Sequence, residues 1–244
     1  IQIYVHNNTY LLTTHINTYM ITQTAYFVND DIKHQLKSAD IDVNFKLPLN
    51  EPTGDFFYDA WTIKQEFKGT VWDKLVSTLP SNIGEARLIK LDPGQAYLSH
   101  ADMDDRYHFN IQGERSFILY TDADLIYPQV ESSYWSDMNA GELHSAVNTG
   151  SIDRIQLVVR KLLNKNILID PVHILMTLKE PKPDYRYVFD EFYSPWLNAA
   201  NKNGIVNSFV YNTNYVSFNI ERSHVEEFKL IKTSYFNIAV ETLV

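Results

Sequence analysis

The stretch EARLIKLDPGQAYLSHADMDDRYHFNIQ, residues 85–112, decides the fold predicted for this protein. Apolar and polar residues alternate in its segments ARLIKL, AYLSHAD and RYHFNIQ, which is the period of a β-strand. The turn signal DPG separates the first two segments. The pattern continues through RSFILYT, YWSDM, LHSAV and RIQLVVRKLL, with NAG and NTGS as turns. Short strands at this spacing predict a β-sandwich or a jelly roll.

The sequence on the N-terminal side of this stretch predicts additional strands and helices. QIYVHNNTYLLTT reads as two short strands around the turn HNNT. DDIKHQLKSAD has an acidic start and predicts a short helix or a turn. TVWDKLVSTLPS has apolar residues at helical spacing, with Thr70 as N-cap and Pro80 as stop.

The character of the sequence changes after about residue 165. YRYVFDEFYSPWLNAANKNG is partly helical, and VNSFVYNTNYVSFNI reads as a hairpin. SHVEEFKLIKT predicts a helix with a Ser N-cap, and YFNIAVETLV predicts a final strand. We therefore expect a β core with N-terminal elements over residues 1–165. A C-terminal α+β elaboration over 166–244 would pack on it without necessarily being a separate domain.

Composition excludes several classes of protein. A chain of 244 residues with 45% hydrophobic residues can bury a sizeable core, and its 16 Tyr and 13 Phe favour β structure. A net charge of −9 argues against nucleic acid as a partner, because phosphate neutralisation needs a basic face. No apolar run approaches the roughly 18 residues of a membrane span, so we expect no membrane partner.

The chain contains no cysteine. Disulfides, cysteine-ligated zinc, iron–sulfur clusters and thiol nucleophiles are therefore excluded. The absence fits a reducing compartment, and a cytoplasmic location is the expectation.

Histidine and aspartate side chains within the strand pattern suggest a metal site. Residues i and i+2 of a strand point to the same face, so His100 and Asp102 can direct an imidazole and a carboxylate to one point. His144, which follows the turn NAG, is the candidate second imidazole. Two histidines and one carboxylate leave three positions open on an octahedral ferrous ion. Asp104 and Asp105 are expected to form a solvated turn.

Arg154 stands ten residues after His144. A turn at NTGS would return the chain antiparallel to the His144 strand, so that Arg154 enters the same cavity below the metal. A planar guanidinium there can bind a carboxylate through two parallel hydrogen bonds.

Each of these residues also has a simpler interpretation. A lone H-x-D recurs by chance, a lone histidine is more often a surface or satisfied core residue, and a lone arginine is more often a cation at a strand edge. The order of the residues on predicted strands, together with the ten-residue offset, favours the metal site.

The set His100-x-Asp102, His144 and Arg154 resembles the 2-oxoglutarate/Fe(II)-dependent oxygenases. More narrowly, it resembles the aspartyl/asparaginyl β-hydroxylase group, which includes some free-proline hydroxylases. The narrower resemblance is carried by Pro-Gly upstream of the first ligand in DPGQAYLSH, by the Arg-x-His strand RYHFNI, and by the His-x-x-x-Asn…Arg pattern in HSAVNTGSIDR. It covers about residues 70–162 and neither end of the chain.

The resemblance implies a mainly β protein with a double-stranded β-helix core, the jelly roll that cupins share, and flanking helices. It implies that His100, Asp102 and His144 ligate Fe(II). Dioxygen would be a further substrate, and 2-oxoglutarate the co-substrate that is converted to succinate. The hydroxylated substrate would be an amino-acid side chain, free or within a peptide.

The resemblance also assigns residues to the co-substrate. Arg154 would bind the distal carboxylate of 2-oxoglutarate. His108 and Arg106 would touch the other carboxylate or help to order the site.

Two other functions stay open at the level of sequence. A cupin-like metal enzyme without 2-oxoglutarate, such as an isomerase or hydrolase, would explain the triad but leave Arg154 unexplained. A non-catalytic binding module of the same fold would not need the intact triad. The hydroxylated substrate and the oligomeric state are not readable from the sequence.

Overall fold

The computed structural model describes residues 2–6, 9–13, 20–39, 43–179, 185–212, 215–231 and 235–243. The chain divides into two compact units. One comprises Tyr19–Ser99 and Asp104–Leu162, and the other comprises Ile1–Thr18, His100–Met103 and Leu163–Val244. A domain boundary at residue 165 stays a prediction.

Seventeen strands lie within the described residues: β1 (Gln2–His6), β2 (Thr9–Thr13), β3 (Ile21–Phe27), β4 (Lys46–Pro48), β5 (Asn50–Pro52), β6 (Trp61–Ile63), β7 (Ile83–Leu91), β8 (Arg106–Gln112), β9 (Ser116–Tyr120), β10 (Leu125–Pro128), β11 (Tyr134–Met138), β12 (His144–Asn148), β13 (Arg154–Lys161), β14 (Pro171–Leu178), β15 (Val206–Tyr211), β16 (Tyr215–Glu221) and β17 (Phe236–Thr242). The α-helices there are α1 (Asp30–Ser38), α2 (Val71–Val76), α3 (Tyr185–Phe192), α4 (Ser194–Lys202) and α5 (Val225–Phe228).

Two antiparallel sheets form the core of the first unit, and β5 and β6 form a separate two-stranded sheet. The larger has the strand order β3-β11-β8-β13-β7-β4, and the smaller has the order β10-β9-β12. The segment after β7 extends the smaller sheet, because Ala96 forms a β-bridge with Val147 of β12. The amide of Tyr97 donates to Ala146 O at 2.9 Å in the same ladder.

The strand order identifies this unit as a jelly roll. The eight successive segments are β7, the extended segment at Ala96, and β8 to β13. In the larger sheet the first segment (β7) pairs with the eighth (β13), the eighth with the third (β8), and the third with the sixth (β11). In the smaller sheet the second segment (at Ala96) pairs with the seventh (β12), the seventh with the fourth (β9), and the fourth with the fifth (β10). This alternation between two sheets is the double-stranded β-helix, so the predicted fold class is confirmed.

Apolar side chains fill both faces of the larger sheet. A cluster drawn from both sheets includes Leu91, Tyr120, Met138 and Ala146, so it lies between them. On the opposite face, α1 and α2 cover the sheet and contribute Leu36 and other apolar residues to a second cluster. The side chain of Asn29 caps α1 by accepting from Ile32 N at 2.9 Å.

The prediction for α2 is confirmed with one difference. The helix begins after Thr70 and ends at Val76, ahead of Pro80. The Thr70 side chain makes no cap hydrogen bond, because its hydroxyl donates to Phe67 O at 2.7 Å.

The second unit has a four-stranded antiparallel sheet in the order β15-β16-β14-β17. The predicted hairpin corresponds to β15 and β16, and the predicted final strand to β17; residues 213–214 of the hairpin turn lie outside the described residues. The partly helical segment forms α3 and α4, and Gly204 follows with a φ of 78°, a conformation that favours glycine. Strand β14 was not predicted.

Three predictions of local structure are wrong. The strand after NTGS does not run beside the His144 strand, because β13 pairs with β7 and β8 in the larger sheet and β12 pairs with β9 in the smaller. SHVEEFKLIKT does not have a serine N-cap, because a 3-10 turn occupies Arg222–His224. The N-cap position of the short helix α5 is His224, whose side chain makes no capping hydrogen bond. AYLSHAD is not a regular strand, because it has only isolated bridge residues at Ala96 and His100. Among the helices described, none has the length and apolar character needed to cross a bilayer.

Candidate functional site

His100 and Asp102 lie in the irregular segment between β7 and β8. The backbone around them is anchored to the helical pair α3 and α4. Ala101 N donates to Asp190 O at 3.2 Å, and Asn198 Nδ2 donates to Asp102 O at 3.3 Å. Ala101, which lies between His100 and Asp102, is fully buried. The segment is therefore held by backbone hydrogen bonds and by apolar packing. These contacts, and not strand geometry, position the H-x-D pair.

His144 is the first residue of β12 and is buried. Its Nδ1 lies 2.8 Å from Glu142 O. A carbonyl oxygen only accepts, so Nδ1 carries the proton and Nε2 carries the lone pair. The ring also lies near Tyr120, with 6.0 Å between ring centroids. A metal-binding histidine is commonly oriented in this way, through a hydrogen bond from the nitrogen that does not bind.

The ligand atoms of His100, Asp102 and His144 lie within 4.8 Å of one another. Ligand atoms that are about 2.1 Å from one ion can be at most about 4.2 Å apart, so the group is near the spacing that coordination requires. Two imidazoles and one carboxylate are the donor set of the facial triad that suits ferrous iron. The residues present therefore fit a divalent metal of this kind.

Arg154 opens β13 and has only 2% of its surface exposed. Its Nη2 donates to the side-chain oxygen of Gln156, and its Nε has no hydrogen-bond partner. No ion pair joins Arg154 to a carboxylate of any residue that the structure describes. Burial lowers the pKa of the guanidinium to about 10, while the neighbouring Tyr97 hydroxyl opposes the shift.

His108 is the third residue of β8 and is partly buried. Its Nδ1 lies 3.1 Å from Gln156 Oε1. Loss of solvation is the main cause that lowers the pKa of His108 to about 3, although the Gln156 bond acts in the opposite direction. The electrostatic effects of Arg154, His144 and Arg106 lower it further. His108 is therefore neutral at ordinary working pH.

Arg106 takes part in a buried ion network. Its Nη1 lies 2.5 Å from Asp104 Oδ1, and Arg160 Nε donates to Asp104 Oδ2 at 2.6 Å. The Arg160 guanidinium also stacks 4.2 Å from the centroid of the Phe56 ring. Asp104 is only 3% exposed, so the prediction that it belongs to a solvated turn is wrong. The Asp104 carboxylate is an anionic partner of Arg106. A contact between Arg106 and the co-substrate stays a prediction.

Sequence reasoning missed the amide pair Gln156 and Gln129. Gln156 is fully buried, and its Nε2 donates to Gln129 Oε1. A signal was present in RIQLVVR, where Arg154, Gln156 and Arg160 fall at even spacing in a strand whose other residues are apolar. Polar residues that share one face of a fully buried strand must have partners or a ligand.

Comparison with solved structures found similarity to a cupin domain from Bordetella pertussis Tohama I and to a Pseudomonas putida prolyl-4-hydroxylase. The cupin domain is 6% identical, with a TM-score of 0.30, over 50% of this chain and 97% of that chain. The prolyl-4-hydroxylase is 11% identical, with a TM-score of 0.39, over 61% of this chain and 95% of that chain. No protein-family model and no curated protein matches the sequence. The jelly-roll assignment rests on the strand order alone.

Proposed function

We propose that this protein is an Fe(II)- and 2-oxoglutarate-dependent dioxygenase that hydroxylates an amino-acid side chain, free or within a peptide. The observation that carries the proposal is Arg154, a buried guanidinium without a carboxylate partner among the described residues. A buried charge that lacks a partner costs several kcal/mol, so a fold keeps one where an anionic ligand binds. The His100, Asp102 and His144 group supplies the second half of the site.

The metal ligands would come from His100, Asp102 and His144. When bound, iron together with 2-oxoglutarate and dioxygen supplies the oxidising chemistry, in which the co-substrate becomes succinate and a C–H bond gains a hydroxyl. The protein's own contribution is to orient these groups. The Glu142 carbonyl fixes the His144 proton on Nδ1 and leaves Nε2 for the metal.

Arg154 would bind the distal carboxylate of 2-oxoglutarate. Its guanidinium is donor-only, planar and desolvated, and Nε and the remaining Nη hydrogens suit a bidentate contact. A desolvated cation attracts an anion more strongly than a surface lysine would, because water screens it less. A metal-dependent isomerase or hydrolase would use the same triad but has no need of this cation.

The change Arg154→Met tests the proposal. Calorimetric titration of the anaerobic Fe(II) protein with 2-oxoglutarate is expected to show Kd raised by about 100-fold, which corresponds to about 2.7 kcal/mol. The folded stability should stay the same or rise, because the variant removes a buried unpaired cation. The matched control is Arg222→Met, since Arg222 forms an exposed ion pair with Asp170. Equal affinity in wild type and Arg154→Met would exclude 2-oxoglutarate as the ligand of Arg154.

The metal half of the site has its own test. His144→Ala should remove Fe(II) binding and the conversion of 2-oxoglutarate to succinate, whereas His34→Ala, at an exposed position of α1, should preserve both. Retention of tight Fe(II) binding in His144→Ala would contradict the ligand assignment. Incubation of the wild type with amino acids and peptides, followed by mass spectrometry for the gain of one oxygen atom, would identify the substrate.

A further inference from the structure

Gln156 lies at the centre of a hydrogen-bond network inside the jelly roll. It stands two residues after Arg154 on β13 and is fully buried. Its side-chain oxygen contacts both Arg154 Nη2 and His108 Nδ1, and its side-chain nitrogen contacts Gln129 Oε1. The pairing of β13 with β8 shifts register between Ile155 and Gln156, the kind of irregularity that redirects side chains near sites.

The orientation of the Gln156 amide follows from the chemistry of its neighbours. Arginine has donors and no acceptor, so the atom that faces Arg154 must be the amide oxygen. The amide nitrogen then faces Gln129, whose side-chain oxygen accepts from it. Gln129 is itself anchored to the sheet, because its backbone N–H donates to the backbone oxygen of Ser116 at 2.8 Å.

The orientation of Gln156 decides the tautomer of His108. The oxygen that accepts from Arg154 is also 3.1 Å from His108 Nδ1. Since this oxygen can only accept, the Nδ1 atom carries the proton. Neutral imidazole has one N–H, so Nε2 is left as an acceptor.

We propose that Gln156 is a positioning residue that joins Arg154 to His108 and holds the His108 proton on Nδ1. The proposal rests on the proposed function in so far as Arg154 belongs to the co-substrate site. It also assigns a role to His108: with Nε2 as acceptor, His108 orders the site or accepts from a donor on the bound molecule, such as an ammonium or a hydroxyl group. A direct contact with a carboxylate would need the opposite tautomer.

The first experiment measures the His108 tautomer by long-range ¹H–¹⁵N correlation spectra of the metal-free protein, with His108→Asn to assign the signals. Gln156→Met keeps the side-chain length but removes the acceptor. We expect it to shift the ratio of Nδ1–H to Nε2–H about five- to tenfold toward Nε2–H, the effect of losing one hydrogen bond. Gln156→Glu has an acceptor oxygen in place of both the amide oxygen and the amide nitrogen. His108 should therefore keep its proton on Nδ1 in this variant.

Gln112→Met is the matched control. Gln112 is exposed on the same strand as His108, and its amide donates to the backbone oxygen of Asp153 at 3.2 Å. The control should leave the His108 signals unchanged. The proposal is overturned if the proton stays on Nδ1 in Gln156→Met, or if Gln112→Met moves it as far as Gln156→Met does.

The second experiment measures 2-oxoglutarate affinity in the anaerobic Fe(II) protein. Gln156→Met should raise Kd about tenfold, because Arg154 loses the bond that orients it. Gln156→Glu should raise Kd about 100-fold, because the new carboxylate pairs with Arg154 and competes with the ligand.

The two proposals fail in different ways. If Arg154→Met weakens 2-oxoglutarate binding but neither Gln156 variant does, the positioning role toward Arg154 is wrong and the proposed function stands. If Arg154→Met has no effect on binding, the proposed function is wrong. The His108 spectra then still decide whether Gln156 holds the proton, since they require neither metal nor co-substrate.

Discussion

Strands β13 and β14 have the same length and carry opposite kinds of buried residue. Strand β13 has the sequence RIQLVVRK, and seven of its eight residues are buried. Its alternate positions include Arg154, Gln156 and Arg160, each at most 4% exposed. Strand β14 has the sequence PVHILMTL, and its buried alternate positions are Val172, Ile174 and Met176.

The two strands differ in how burial of their side chains affects the stability of the fold. Apolar side chains such as Ile174 stabilise a sheet simply by leaving water, by about 1.5–3 kcal/mol each. A buried guanidinium loses hydration and must regain it from partners. Arg160 has such a partner in Asp104, whereas Arg154 has a neutral amide. The polar face of β13 therefore costs stability unless each charge has a partner or a ligand, whereas the buried face of β14 contributes to stability.

The largest expected effect comes from placing an arginine on the buried face of β14. Met176→Arg would bury a cation beside apolar neighbours with no acceptor provided for it. We expect a loss of about 5 kcal/mol or more, enough to unfold many domains. Thermal unfolding followed by circular dichroism measures the change. Leu175→Arg, on the half-buried opposite face, is the control, and an unaltered melting temperature in Met176→Arg would refute the contrast between the two strands.

A smaller but still large effect is expected from Asp104→Asn. The variant has almost the same shape but replaces the carboxylate that contacts Arg106 and Arg160 with a neutral amide. We expect the free energy of unfolding to fall by about 3–5 kcal/mol in urea titrations.

The control for this prediction is the exposed pair of Arg222 and Asp170. Asp170→Asn removes an ion pair whose side chains are 48% and 60% exposed, and it should change stability by less than about 1 kcal/mol. Similar losses in the two variants would mean that burial does not set the value of the Asp104 network.

The smallest effect concerns pH and His108. Its pKa is lowered in the folded protein, so the unfolded chain takes up a proton first as the pH falls. The sign is therefore a loss of stability with acidification, beginning near the usual histidine pKa of about 6.5 and ending near the folded value, with a slope of at most about 1.4 kcal/mol per pH unit. Above that window the contribution is fully present. His108→Asn should flatten this part of the curve, as measured by urea titrations between pH 7 and about 4. Parallel curves for wild type and variant would show that His108 titrates normally in the fold.

The strands of the jelly roll were largely predictable because their residues alternate. RYHFNIQ, RSFILYT, YWSDM and RIQLVVRKLL all contain strands of the structure. Strand β14 escaped prediction although PVHILMTL alternates in the same way. The segment AYLSHAD has the same alternation but forms only isolated bridges, at Ala96 and His100. Alternation reports which residues suit a strand, and it does not report whether a neighbouring strand is present.

The structure brings His100, Asp102 and His144 together, as predicted, but not for the predicted geometric reason. The i, i+2 rule assumed a regular strand, whereas contacts with Asp190 and Asn198 hold the segment. Asp104 shows the converse error. Its acidic neighbours suggested solvent, but the arginines that bury it come from β8 and from the far end of β13. Arg160 lies 56 residues from Asp104, and a partner at that distance cannot be read from local composition.

By itself, the sequence determined the mainly β class and a set of residues whose side chains could bind a metal and an anion. These follow from the two-residue period and from side-chain chemistry, both of which are local properties. The choice of a jelly roll over a β-sandwich came from the family resemblance. Tertiary structure decided which charges are paired. It gave Arg106 and Arg160 the carboxylate of Asp104. Among the described residues it gave Arg154 the amide of Gln156 as its partner, and thereby placed the His108 proton. The physical reason is that the energy of a buried charge depends on the few groups within hydrogen-bonding distance, and only the folded chain determines what those groups are.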